Sequence, residues 1–190
     1  MTPTPQQEWE AAARRLFEDE YAFVCTGPRA HTDWRTDALA IMARETEDPR
    51  GWATLDWDSE CDPAEAEQRR RSFPFTLSSE RALGESLHEI SLDSAAPLIV
   101  VLTDEWFEVK NIPDFAHRKE QLLTDARTLL ARFGHDATCY TTAGNARTTK
   151  DPDFFLPIRG GVGITELLMD LGLLVVSATE VGVFWRFNAY

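Results

Sequence analysis

Lysine is scarce in this chain: only Lys110, Lys119 and Lys150 stand among its nineteen basic residues, the rest being arginine. Cysteine is nearly absent. Cys25, Cys61 and Cys139 are odd in number, far apart and never spaced as Cys-x-x-Cys, which argues against a disulfide framework or a zinc ribbon and predicts reduced thiols. No apolar run reaches the roughly eighteen residues that a bilayer span requires, so no membrane contact is expected. The N-terminal MTPTPQQEWE carries neither a basic region nor an apolar stretch. A secretory signal is therefore not expected, and cytoplasmic residence is.

Catalytic signatures are missing too. The chain contains no Gly-x-Ser-x-Gly, no His-Glu-x-x-His and no paired-carboxylate motif. Its four histidines, His31, His88, His117 and His135, are isolated from one another. His31 and Asp33 flank Thr32 as two candidate ligands, but no second histidine cluster joins them, so neither a metal nor a cofactor is expected. Cys25 and Arg29 are too close in sequence for a Cys-x5-Arg phosphatase loop, and Cys25 reads as a structural thiol.

What the chain does have is apolar bulk and negative charge. Its 190 residues are 43% hydrophobic and include six Trp, eleven Phe and three Tyr, enough for one core and a single domain. The net charge is −13, which opposes direct contact with nucleic acid or an anionic membrane and favours a basic protein partner. Nine carboxylates fall within 45–67, with Arg50 the only base among them.

The patterning predicts α+β or α/β architecture, a mixed β-sheet flanked by helices and closed by a C-terminal β-hairpin. Thr4-Pro5-Gln6-Gln7 forms a capping box that starts a helix running to about residue 20, followed by a strand at 21–25 closed by the turn Thr26-Gly27-Pro28. A helix is expected at 36–45, a strand at 52–57, a short helix from Asp62-Pro63 through Arg71, and a helix start at Ser78-Ser79-Glu80. The continuous apolar run PLIVVLT at 97–103 reads as a strand. An amphipathic helix from Phe115 to Phe133, capped by Gly134, and a strand at 136–142 complete a strand–helix–strand unit, parallel or antiparallel. A short helix at 164–171 then leads into the hairpin, whose last strand carries Val183, Trp185 and Phe187 on one face.

Two groups of residues are candidates for function. In DWDSECDPAEAE at 56–67, the carboxylates imitate the spacing of a calcium loop, but Cys61 stands where that loop needs Gly and Pro63 follows where an apolar residue belongs. Asp56, Asp58, Glu60 and Asp62, with Trp57 interleaved, read instead as an acidic surface for a basic partner, with aromatic anchors. The second group supports an alternative, a small α/β enzyme or ligand-binding domain. Asp104 and Glu105 would lie at one sheet edge with Asn145, Arg159 and Gly161, the Gly160–Gly163 stretch presenting helix N-H groups to an anion. The bland reading of those glycines is a tight turn with positive φ and close packing. The favoured expectation is an acidic interaction protein that binds a basic protein partner, such as a nucleic-acid-acting protein or a toxin, with inhibition of that partner as one use.

Overall fold

The computed structural model describes residues 3–17, 21–46, 72–77 and 79–188, together with the backbone of 52–53. Helix α1 (Pro5–Phe17) starts as its capping box dictates: Gln7 N donates to Thr4 Oγ1 at 3.2 Å and Thr4 N to Gln7 Oε1 at 2.9 Å. It buries Trp9, Ala12, Ala13, Leu16 and Phe17. Strand β1 (Ala22–Pro28) continues through Thr26-Gly27-Pro28, where the sequence pointed to a turn. Gly27 permits this because Ile41 packs against its Cα so closely that a side chain there would collide.

Helix α2 (Trp34–Met42) begins two residues before the expected start, because the Asp33 side chain accepts from Arg35 N and caps it. Strand β2 (Trp52–Ala53) pairs with β1; the rest of the strand expected at 52–57, and the helix expected through Arg71, lie outside the described residues. Ser79 caps α3 (Glu80–Ser86), and β3 (His88–Ile90) follows directly.

The run at 97–103 is the main correction. It forms the second half of a helix, α4 (Leu92–Val101), capped by Ser91, whose side chain accepts from Ser94 N. Leu98, Ile99, Val100 and Val101 are all fully buried. A helix covered on every side has no polar face, so its pattern is the same as that of a buried strand. The long amphipathic helix α5 (Phe115–Ala131) is found as expected, with Gly134 at φ 80° just beyond it. Strand β4 (Thr138–Thr141) follows, and a 3-10 turn spans Gly144–Arg147. The helix expected at 164–171 does not form: 164–168 is a bend, and β5 (Met169–Val176) already starts at Met169. It turns at 177–179 into β6 (Glu180–Asn188), which completes the expected hairpin.

The strands form one six-stranded sheet in the order β2-β1-β6-β5-β4-β3, antiparallel at every described pairing. The architecture is α+β. With 97–103 helical, the strand at 138–141 has no parallel partner and pairs with β3 and β5. Alternation along β5 and β6 serves two cores. Leu171, Leu173, Val175 and Phe184 face α1, α4 and α5, whereas Leu174, Val176, Val181, Val183, Trp185 and Phe187 face α2, α3 and Phe75. Among the described residues, no helix is long and apolar enough to cross a membrane.

Candidate functional site

A concave surface lies at the sheet end where β5 begins and β6 finishes. Its centre is the loop after α4. One carboxylate oxygen of Asp104 accepts from Trp106 N (3.1 Å), Glu108 N (3.0 Å) and Asn111 Nδ2 (3.2 Å), which folds the loop back on itself. Phe107 adopts φ 58° there and is buried, while the neighbouring Trp106 remains 47% exposed with its Nε1 donating to Glu105 Oε1 at 3.1 Å. Asp104 and Glu105 therefore shape this loop.

Two clefts flank it. A polar one of about 380 Å³ is lined by Asp104, Glu105, Thr103, Arg15, Arg118 and Arg186. Arg15 grips Asp125 with two hydrogen bonds, at 3.0 and 2.7 Å, and this bonding outweighs desolvation to raise its pKa. The other, of about 700 Å³, is a half-open groove whose walls include Trp106, Phe107, Ile158, Leu168, Met169 and Leu171, with Gly160, Gly161 and Gly163 along its rim.

The glycine segment is a strap and not a helix start. Asn145 holds it at both ends of a short span, donating from Nδ2 to Pro157 O (3.3 Å) and accepting from Arg159 N (2.7 Å). Gly144 N donates to Gly160 O at 3.0 Å, Val162 N to Thr142 O at 3.3 Å, and Gly161 bridges Ala143. Close backbone approach is the reason for glycine at 144, where a Cβ would overlap the Arg159 carbonyl; Gly160 supplies φ 65°. The amide donors that would have met an anion meet Asp170 instead. Its carboxylate accepts from Ile164 N (3.0 Å), Thr165 N (3.0 Å), Thr165 Oγ1 (2.7 Å) and Trp185 Nε1 (3.0 Å).

The sequence candidates are thus distributed as follows. Asn145, Arg159 and Gly161 meet in the strap, and Gly161 lines the apolar groove; Asp104 and Glu105 line the polar cleft on the other side of the 104–111 loop. Asp56, Trp57, Asp58, Glu60 and Asp62 lie outside the described residues. Sequence reasoning missed Trp106, Leu168 and Met169, whose exposure depends on a bend that no local pattern announces. It also missed Asp170, which resembles any other solvated acid in sequence. Cys139 is fully buried, its thiol pushed up to about 12 by desolvation, and Cys25 is half-buried. No group of three or more His, Cys, Asp or Glu among the described residues is placed to hold a metal ion. Comparison of the chain with protein-family models, with curated proteins and with solved structures gives no match.

Proposed function

We propose that this protein is a cytoplasmic interaction module that binds a basic protein segment bearing apolar side chains, and thereby inhibits the protein to which that segment belongs. One observation carries the reading. Of the large apolar side chains exposed among the described residues, Trp106, Leu168 and Met169 line the apolar groove, and Leu156 and Val162 lie in the same 156–163 segment as its Ile158, Gly160, Gly161 and Gly163. Exposed apolar side chains gathered in one place mark contact surfaces. The net charge of −13 adds the sign of the partner, because long-range attraction selects a cationic surface before short-range contacts form. A nucleic-acid-acting protein or a toxin with a positively charged working surface fits this chemistry. Asp56, Asp58, Glu60 and Asp62, with Trp57, supply the acidic part of the contact.

The test uses a cationic amphipathic Lys/Leu peptide, with a Glu/Leu peptide of the same pattern as control. Binding is read from indole fluorescence, and its rates from stopped flow. Leu168→Ser with Met169→Ser should chiefly speed dissociation. Charge reversal at Asp56, Asp58 and Glu60 should slow association and flatten its salt dependence. Equal binding of both peptides, or no change in either variant, defeats the reading.

A second reading, a small-ligand or enzyme site, is favoured by the polar cleft alone, where guanidinium groups from α1, α5 and β6 share a wall with Asp104 and Glu105. It predicts a calorimetric signal with succinate or inorganic phosphate that Arg118→Ala removes. No heat with either probe counts against it.

A further inference from the structure

Independently of the groove, the four histidines occupy four different settings. His117 is exposed on α5. His135 meets Asp136 at 3.3 Å with both side chains over nine-tenths exposed, so water competes for each. His88 is half-buried, and burial first, with Arg147 second, lowers its pKa. His31 combines features that the other three keep apart. Its side chain is 58% exposed, yet its Nδ1 lies 2.6 Å from Oδ1 of Asp37, a carboxylate only 4% exposed. The other oxygen of Asp37 accepts the backbone N-H of His31 at 3.2 Å.

A single buried acid thus fixes both the main chain and the ring of one residue. Asp37 stands in the first turn of α2, which packs on β1 and β6, so the anchor is rigid. A carboxylate at Nδ1 holds the proton of the neutral ring there and leaves the lone pair on Nε2. Among the described residues no hydrogen bond occupies Nε2. The charged groups nearby are already placed. Arg29 sets its guanidinium on the carbonyls of Thr32 (3.4 Å) and Ser177 (3.1 Å), bringing a cation to the same loop. The negative charge of Asp33 is turned towards Arg35, whose N and Nη1 both lie at 3.1 Å.

We propose that Nε2 of His31 is a phosphoryl-acceptor site, loaded from a small donor of the phosphoramidate type. With the donor in its nitrogen-protonated (zwitterionic) form, the Nε2 lone pair attacks phosphorus, the P–N bond breaks, and ammonia leaves with the bonding pair and the three protons already on that nitrogen. The ring becomes a phosphorylated imidazolium whose Nδ1 proton stays shared with Asp37, which offsets the new positive charge, while the Arg29 guanidinium on the Thr32 carbonyl adds a cation to the same loop. No electron transfer is involved. The other exposed histidines, His117 and His135, can undergo the same step, but among the described residues neither ring meets a buried carboxylate.

The experiment incubates the full-length chain with potassium phosphoramidate at an ionic strength that screens the protein's charge. Site-resolved mass spectrometry then follows phosphoryl gain at His31, His117 and His135. His31 should load about tenfold faster than the other two, with an adduct that is labile in acid and stable in base. Asp37→Asn should bring His31 down to the rate of His117 while His135 stays unchanged, and Arg29→Gln should slow His31 alone. Equal loading of the three histidines in the unaltered chain, no loading, or loading indifferent to Asp37→Asn overturns the proposal. The first comparison needs no variant, so it holds even if Asp37→Asn fails to fold.

Discussion

The indole ring of Trp185 on β6 occupies the space above the Cα of Gly172 on β5, its strand partner, so that a side-chain carbon at 172 would overlap the ring. Trp185 is fully buried and its Nε1 is tied to Asp170, so the ring has nowhere to move. Gly172→Ala should therefore destabilise the fold by about 3 kcal/mol, the upper range for overpacking a core, seen as a fall of about 6–12 °C in Tm for a chain of this size. Gly134→Ala is the control: space is open there, and only φ 80° opposes it, for a cost of about 1 kcal/mol. Equal Tm values for the two variants would refute this account of Gly172.

Asp170 should be the chief tether of the 164–168 bend. Its carboxylate takes two backbone amides, one hydroxyl and one indole N-H. Asp170→Ala leaves those donors without an anionic acceptor and should cost about 2–3 kcal/mol. Amide exchange at Ile164 and Thr165 should quicken more than at Leu173 and Leu174. Uniform acceleration would mean that Asp170 supports the whole sheet and not the bend.

Arg132, at the end of α5, pairs with Glu180 through two bonds of 2.9 Å, and both side chains are mostly buried, at 10% and 17% exposure. Breaking the pair should hurt more than replacing it. Arg132→Leu alone removes the guanidinium from the mostly buried Glu180 carboxylate and should cost about 2–3 kcal/mol, whereas adding Glu180→Leu should recover much of that loss. Chemical denaturation of the two single variants and the double variant checks this. Additive losses would show that the two residues act separately.

The buried thiol of Cys139 gives a pH dependence of known sign. Its pKa is pushed from 9.0 up to about 12, so the folded state holds its proton where the unfolded state has lost it. The contribution is fully present below about pH 9 and is lost as pH rises towards about 12. In a Cys25→Ser, Cys61→Ser background, Cys139 should react with an aromatic disulfide reagent at pH 8 only as fast as the chain unfolds. Cys139→Ala should flatten the decline in stability above pH 9. Rapid modification of the native thiol would contradict the burial argument.

Much of this molecule was legible without coordinates wherever a signal is local. The Thr4–Gln7 capping box, the 3.6-residue period of α5 with Gly134 after it, and the alternation that places Val183, Trp185 and Phe187 on one face all arise from neighbours in sequence. The apolar run at 97–103 was misleading because burial on all sides removes the polar face that distinguishes a helix from a strand. His31 was read against Asp33, two residues away. Its partner is Asp37, brought round by the turn into α2.

By itself the sequence determined the acidity of the chain, its capacity for a core, and the elements whose periodicity or caps are written into adjacent residues. The tertiary structure alone decided that Asp170 fills the place of an anion, that the glycine strap lies along 142–144, and that Trp106, Leu168 and Met169 stand exposed around one groove. The physical reason is range. Propensity, capping and patterning act within a few residues, whereas exposure and the pairing of a buried charge depend on which distant surface reaches it first, and only the folded chain decides that.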